Sequence, residues 1–477
     1  MASQTAWSAV ATGANAAFFF FLIPLITKLG GVGAYGLWEG TWLLVNLAAP
    51  LAWLGLRSGF TRYSAGLDDR ATVSANFHAV MVVIVPAALL LGTCQLLAAP
   101  WIAAQIVGDA ALGPAMLRIG ALLVVGESLL LAVLEGYRAT LRLRSYALLV
   151  LLQRGLEIGL VALLLSRDRP ITECGLAVVA ARTLVLALAY VGITRSLGLV
   201  RPDFSRLAPY AVYGLPLLFN EVLGRMLKGA DRLIVGHYLG VDAMGAYGVV
   251  VQLCLVFVLY TATLQVWLYP HLSGLWNQGE RERAVRVLER ALRFFWLLAL
   301  PTAAGLSAIG PTLVAAMSEP AVAVRAVVVL PVVACSFAVY GIASLTLYAL
   351  ALVERTAVIT VVLVVAAGLN LLLNLLLVPR LDILGAALAN AVGFSTMALL
   401  MWLAARRHLP VRLLPRGWVL PRILLACVAM AAVVAVMGPG GLVWLGATIV
   451  VAAGAYVAVL LAVRGVTVAE IRSLVRR

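Results

Sequence analysis

Apolar runs of roughly 18 to 25 residues recur along the whole chain, and they constrain its fold more than any other feature. Each run is long enough for a helix to cross about 30 Å of hydrocarbon. Charged residues make up 12% of the 477 residues and the mean hydropathy is +1.06, whereas a soluble domain carries about 25% charged residues. The sequence therefore predicts an all-α polytopic membrane protein.

Basic residues in the loops indicate how the chain crosses the membrane. Twenty-four of them fall in the even-numbered loops and the tail, and five fall in the odd-numbered loops. Since cytoplasmic loops carry the excess of Lys and Arg, both termini are expected in the cytoplasm. This bias also accounts for the net charge of +15, so nucleic acid is not expected as a partner. The fourteen predicted spans cover residues 7–27, 36–56, 77–98, 114–136, 146–165, 172–194, 209–237, 243–268, 292–317, 326–352, 357–378, 383–404, 423–438 and 441–463.

An internal repeat divides these spans. The segment LGGVGAYG at 29–36 follows span one, and LGVDAMGAYG at 239–248 follows span seven. An offset of six spans gives both copies the same direction, so the halves are related by an axis along the membrane normal. We expect a six-helix lobe at 1–200, a second at 201–412, and two further helices with a cytoplasmic tail at 413–477.

Charged residues form a stripe on the predicted seventh span. Glu221, Arg225, Lys228 and Arg232 fall within a sector of roughly 60° and climb about 16 Å along the helix. Such a stripe must face protein or a water-filled cavity, because lipid cannot solvate it. The guanidinium group of arginine binds phosphate oxygens through two parallel N–H donors, and the ammonium group of lysine binds them as a point charge. We expect this stripe to line a substrate path.

The stripe is not neutral within its own helix. Glu221 can pair with Arg225 and Asp231 with Lys228, which leaves Arg232 uncompensated. Further candidate substrate contacts are Asn220, at the start of the charged segment, and Arg57, at the inner end of span two.

Four more ionisable residues lie inside spans of the first half: Glu127, Arg154, Glu157 and Arg182. Each would cost about 2.5–3.5 kcal/mol at a helix centre facing lipid. They either form interhelical ion pairs or line a polar cavity wall opposite span seven, and we expect the second arrangement.

Other polar residues give weaker signals. Asn370, Asn374 and Asn390 lie in spans eleven and twelve, where interhelical hydrogen bonding is the expected role and a cation such as Na⁺ the alternative. The five cysteines and four histidines are scattered, and no Walker motif occurs. No catalytic site, cofactor or metal site is expected, and the coupling ion, Na⁺ or H⁺, stays open.

Short motifs in a fixed order along about 390 residues carry a family resemblance. They are TKLG with YG at 27–36, LGLRSG at 54–59, YGLP at 213–216, DRLIVGHYLG with GAY at 231–247, LYPHLS at 268–273, NLLLN at 370–374, VPR at 378–380 and LGAA at 384–387. In these segments the chain resembles the multidrug/oligosaccharidyl-lipid/polysaccharide exporter superfamily, and within it the O-antigen-type polysaccharide flippases.

The resemblance implies two lobes around a central cavity and transport by alternating access. It also implies that an undecaprenyl-pyrophosphate-linked oligosaccharide moves from the inner to the outer leaflet of a bacterial plasma membrane, for lipopolysaccharide O-antigen or other surface polysaccharide. The cations of span seven and the first lobe, Arg154 and Arg182 included, are similar to those that hold the pyrophosphate in relatives. Membrane lipids and other polysaccharide assembly proteins are the implied partners, and an enzyme is not expected.

Three alternatives remain open. A lipid II flippase would also have fourteen spans. A cation-coupled multidrug exporter of the same fold typically carries an acidic residue in span one, and residues 7–27 contain no ionisable residue. An integral membrane glycosyltransferase or polymerase should show a large extramembrane loop, whereas the outer loops predicted here reach only about fifteen residues.

Overall fold

A computed structural model describes residues 2–64, 69–109, 111–415, 417–438, 440 and 442–464. Within these ranges the chain is helical and contains no strand, which confirms the all-α prediction. The chain divides into two compact units, Met1–Gly248 and Val249–Arg477.

The first unit is built from eight complete helices. Helix α5 is central, since it packs on α2, α4 and α7, while α6 packs on α1 and α7, and α8 packs on α2 and α3. Large buried side chains of α3, α4 and α8, among them Phe60, Phe77 and Tyr210, form one core. The helices are α1 (Ala2–Leu29), α2 (Val32–Ala48), α3 (Leu56–Ser64), α4 (Arg70–Ile102), α5 (Gly113–Ala139), α6 (Leu143–Leu165), α7 (Ile171–Leu197) and α8 (Leu207–Leu239); α9 (Val241–Cys254) crosses the boundary between the units.

The predicted second span is broken. Between α2 and α3 the chain passes through a 3₁₀ turn at Ala49–Trp53 and bends by 58°. Leu54 and Gly55 end this turn with φ of 47° and 77°. A left-handed conformation is unusual for a leucine, and it turns the short helix α3 out of the line of α2.

The two copies of the repeat pack on each other inside the first unit. A Cβ added to Gly36 would overlap the carbonyl oxygen of Val241, and one added to Gly245 would overlap that of Val32. Backbones this close tolerate only glycine at the contact. The repeated Gly-Ala-Tyr-Gly segments are therefore each other's packing surface.

The second unit is centred on α12, which packs on α10, α11 and α14. Phe337 of α12 and Phe394 of α14 meet edge to face with ring centroids 5.3 Å apart. Helices α15 and α16 pack on each other and on α11, where the Tyr456 hydroxyl donates to the carbonyl of Leu297 at 2.8 Å. The helices are α10 (Val256–Asn277), α11 (Arg281–Met317), α12 (Pro320–Leu352), α13 (Thr356–Leu381), α14 (Ile383–Ala405), α15 (Val419–Met437) and α16 (Leu442–Ala462).

Membrane-spanning length and composition are met by eleven helices of the described residues, or twelve if the bent pair α2 and α3 is one span. The charged helix α8 is not among them. The protein is thus a polytopic membrane protein, while the count of fourteen, the orientation and the lobe boundaries stay predictions.

Candidate anion-binding site on α8

The charged stripe of α8 changes in burial along the helix. Glu221, Arg225 and Lys228 are half-buried, whereas Asp231 and Arg232 are buried. The stripe therefore has an accessible N-terminal part and an enclosed C-terminal part, and these have different partners.

The accessible part is a cluster of one carboxylate and two guanidinium groups. Arg225 donates from Nη2 to Glu221 Oε1 at 2.7 Å, and from Nη1 to the backbone carbonyl of Asn46 at 3.1 Å. Arg57 Nη1 lies 3.8 Å from the same oxygen of Glu221. The side chains of Arg57 and Arg225 are each 30% exposed and that of Glu221 is 34% exposed. Helices α3 and α8 thus bring the predicted residues Arg57, Glu221 and Arg225 together.

Glu135 holds the other side of Arg57. Its Oε1 accepts from Arg57 Nε at 2.7 Å and from Arg138 Nη1 at 2.9 Å, and the ring of Trp53 lies 4.7 Å from the Arg57 guanidinium carbon. Glu135 was not among the residues predicted from the sequence. Its position near the end of a span, next to basic residues, is typical of a loop anchor and gives no sign of this contact.

The enclosed part of the stripe corrects one prediction. Arg232 is not uncompensated, because it forms an ion pair with Glu39 of α2. Arg232 also donates from Nη2 to the carbonyl of Lys228 at 3.1 Å, and Asp231 accepts from the Tyr247 hydroxyl at 2.8 Å. A lone carboxylate inside span two was the sequence signal for Glu39. Arg232 and Asp231 are thereby bound into the protein interior.

The four charges of the first bundle form one buried network. Arg182 pairs with Glu127 and with Glu157, the latter at 2.7 Å, and Arg154 pairs with Glu157 at 2.7 Å. The Arg182 side chain is 1% exposed, and its guanidinium carbon lies 4.3 Å from the ring centre of Trp42. The contacts of Arg182 with Glu127 of α5 and Glu157 of α6 are interhelical ion pairs, as in the first of the two arrangements considered, whereas the Arg154–Glu157 pair lies within α6. That Arg154 and Arg182 also contact substrate stays a prediction.

The remaining predicted residues are amides. Asn220 has a buried Oδ1 without a hydrogen-bond partner among the described residues, at the accessible end of the stripe. In the second unit Asn370 donates to Asn390 Oδ1 at 2.8 Å, and Asn374 donates to the carbonyl of Asn370 at 2.9 Å. The first bond links α13 to α14, and the second lies within α13. The described residues contain no group of three or more His, Cys, Asp or Glu side chains that could hold a metal ion.

The accessible cluster has the chemistry of an anion site. Arg57 and Arg225 supply two cations, and Lys228 lies one turn after Arg225 on α8, against the carboxylates of Glu221 and Glu135. Glu221 is the more exposed of the two, so an incoming anion can replace it as the partner of both arginines. Guanidinium groups bind phosphate oxygens through paired N–H donors, and they do so strongly in a medium of low dielectric constant.

Family models match most of the chain. The model described as "Polysaccharide biosynthesis protein" matches residues 35–318, and the model "Lipid II flippase MurJ" matches residues 239–463.

Two relatives come from Haloferax volcanii. One is described as "Probable flippase AglR", with 28% identity over 174 residues, or 36% of each chain. The other is described as "Probable low-salt glycan biosynthesis flippase Agl15", with 25% identity over 223 residues, or 46% of each chain. The alignments thus span less than half the length of these curated relatives.

Solved structures share the fold. A lipid II flippase MurJ in an inward closed conformation has a TM-score of 0.75 at 13% identity, covering 95% of this chain and 98% of that one. An inward-facing multidrug resistance MATE family transporter of the MOP superfamily has a TM-score of 0.67 at 13% identity, covering 83% and 94%. The solved structures show the fold, and the family model that accounts for more than half of the residues shows that the chain belongs to the polysaccharide biosynthesis protein family.

Proposed function

We propose that the protein is a flippase for a lipid-linked glycan, and that Arg57, Arg225 and Lys228 hold the pyrophosphate of its head group. One observation carries this proposal: half-buried cations gather in an apolar protein, next to a carboxylate that an anion can replace. The relatives described as flippases, one of them for glycan biosynthesis, support the same function.

The substrate follows from the chemistry of the site. A pyrophosphate has oxygens enough to meet guanidinium groups on both α3 and α8, and binding there removes it from the hydrocarbon that it cannot enter alone. An undecaprenyl carrier and a surface polysaccharide such as O-antigen are the specific substrate that we propose. Movement between leaflets would use alternating access, with Na⁺, H⁺ or the membrane potential as the driving force.

Lipid II is the second candidate substrate, because the MurJ family model matches residues 239–463. Both substrates contain a polyprenyl pyrophosphate, so the α8 site suits either. A cationic drug suits it poorly, since three cations repel it.

A transport assay tests the proposal. Purified protein in liposomes is given a fluorescent undecaprenyl-pyrophosphate oligosaccharide or lipid II, and the fraction that reaches the other leaflet is followed under imposed Na⁺ and proton gradients. We expect Arg225→Ala with Lys228→Ala to lower the rate at least about tenfold, because a hydrogen bond to a charged group contributes about 1.5–3 kcal/mol.

The matched control is Arg169→Ala, which removes an exposed arginine paired with Glu173 at 3.8 Å. It should transport at the rate of the unmodified protein. Unchanged transport in the double variant, at equal amounts of folded protein, contradicts the proposal. The better transported of the two lipids identifies the substrate.

A further inference from the structure

We propose that Glu135 is a positioning residue, which fixes Arg57 by its Nε so that the two terminal nitrogens face a diphosphate. This inference rests on the proposed function and adds a residue from α5, outside the charged stripe. It concerns the length of the Glu135 side chain, and not only its charge.

The two carboxylates near Arg57 differ in distance and burial. Glu135 is 7% exposed and lies 2.7 Å from Nε, while Glu221 is 34% exposed and lies 3.8 Å from Nη1. The first contact is a hydrogen bond and the second is only an ion-pair distance. An anion that enters the cluster therefore displaces Glu221 and leaves Glu135 in place.

The two terminal nitrogens of Arg57 are not used in hydrogen bonds within the described part of the chain. Among the described residues, Nη1 and Nη2 of Arg57 donate no hydrogen bond, although the side chain is mostly buried. These two nitrogens form the paired donor edge that binds phosphate oxygens. A guanidinium anchored at Nε and unengaged at Nη1 and Nη2 is already oriented for such a ligand, which lowers the entropy cost of binding.

Glu135 is itself held in place from two helices. Thr61, one turn after Arg57 in α3, donates to Glu135 Oε2 at 3.3 Å, and Arg138 of α5 donates to Oε1 at 2.9 Å. The carboxylate thus ties α3 to α5 just beyond the bend that follows α2. Its place sets the distance between Arg57 and Arg225, which approach the same oxygen of Glu221 at 3.8 Å and 2.7 Å.

A diphosphate has more anionic oxygens than a monophosphate, so it can accept hydrogen bonds from more of the N–H donors of the two arginines. A diphosphate can bridge Arg57 on α3 and Arg225 on α8, whereas a monophosphate engages them less completely. We expect Glu135 to control this preference, because a shift of Arg57 by about 1 Å misaligns a bidentate contact.

The test separates length from charge. Binding of farnesyl diphosphate and farnesyl monophosphate to the full chain in detergent is measured by titration calorimetry, and folding by thermal unfolding. Glu135→Gln keeps the length and the Oε1 acceptor, so its affinity for the diphosphate should stay within about threefold. Glu135→Asp keeps the charge but withdraws the carboxylate, so it should bind the diphosphate about tenfold more weakly and lose the preference over the monophosphate.

The same Glu135→Asp substitution in an Arg57→Lys variant shows whether the loss of diphosphate affinity depends on Arg57. In Arg57→Lys, which lacks Nε–H, Glu135→Asp should change the affinity less than twofold. Glu173→Asp, at an exposed pair in the same unit, is the control and should bind as the unmodified protein does.

Two results overturn the inference: weak binding by Glu135→Gln with normal binding by Glu135→Asp, or equal losses in both backgrounds. Failure of the proposed function looks different. In that case the unmodified protein does not bind the diphosphate, or Arg225→Ala with Lys228→Ala binds it normally.

Discussion

Gly214 of α8 packs directly against the backbone carbonyl of Gly55, so that a Cβ on Gly214 would overlap this oxygen. Gly55 follows the bend between α2 and α3 and has a positive φ of 77°. The contact holds α3, which carries Arg57, against the helix that carries Arg225. Approach of the two helices in this conformation therefore depends on the absence of a side chain at Gly214.

Gly214→Ala should push α3 away from α8 and destabilise the protein by about 1–3 kcal/mol, the usual effect of overpacking. Gly224→Ala is the control in the same helix, since its Cβ would meet nothing within 4 Å. It should be neutral or stabilise by up to about 1 kcal/mol, because alanine favours helix. Thermal unfolding in detergent gives both values, and equal stability of the two variants would refute the contact.

Removal of Arg232 should destabilise the first unit by about 3–5 kcal/mol, since it leaves Glu39 as a buried, unpaired charge. Arg232→Met with Glu39→Gln should recover most of that loss, because neither residue then carries a charge. A double-mutant cycle by chemical unfolding measures the coupling between the two residues. Additive effects would show that the Glu39–Arg232 pair contributes nothing.

Arg182→Met should mainly lower the stability of the folded protein, and it should have a smaller effect on the transport rate per folded molecule. The substitution leaves Glu127 and Glu157 buried without their shared cation, which favours loss of folded protein. Transport per folded molecule should change less than in Arg225→Ala, measured in the same liposomes. A stable Arg182→Met variant that no longer binds the diphosphate would instead support the prediction of a substrate contact.

The start of α4 should respond to pH through Asp69. The Thr72 hydroxyl and the backbone N–H of Ala71 donate to this carboxylate and hold its pKa below the ordinary value. The pKa of an aspartate in an unfolded chain is about 3.9. The stabilisation by Asp69 is therefore present above that value and is lost as the pH falls through the lower folded pKa.

Amide hydrogen exchange over residues 70–76, corrected for the intrinsic pH dependence, measures this effect. Exchange should accelerate as the pH falls from about 4 through the lower pKa of the folded carboxylate, where Asp69 loses its charge. Asp69→Ala should exchange faster already at neutral pH and should lack the acidic step. If exchange in Asp69→Ala still accelerates below about pH 4, the acceleration does not come from Asp69 and the prediction is wrong.

Helical periodicity was sufficient to predict the stripe on α8, because residues four apart on one helix share a face whatever surrounds them. It could not supply partners from other helices. Glu39 lies 193 positions from Arg232 and Glu135 lies 78 positions from Arg57. For the same reason the sequence could not show that Arg182 lies beside Glu127 and Glu157, and its contact with substrate stays a prediction.

The bend before α3 was also beyond the sequence-based prediction. Span two reads as one apolar run, yet its helix ends at Ala48 and is followed by the 3₁₀ turn at Ala49–Trp53 and by the positive φ of Leu54 and Gly55. Tertiary contacts of the Gly55–Gly214 kind oppose the local preference for one continuous helix. The all-α polytopic class followed from hydropathy and is confirmed, whereas the count of fourteen spans and the orientation stay predictions.

The mutual packing of the two Gly-Ala-Tyr-Gly segments has an evolutionary consequence. Gly36 and Gly245 belong to different copies of the repeated segment, yet each is tolerated only while the opposite backbone stays close. A larger residue in one copy would need a compensating change in the other. We therefore expect the residues at these two positions to change together rather than independently.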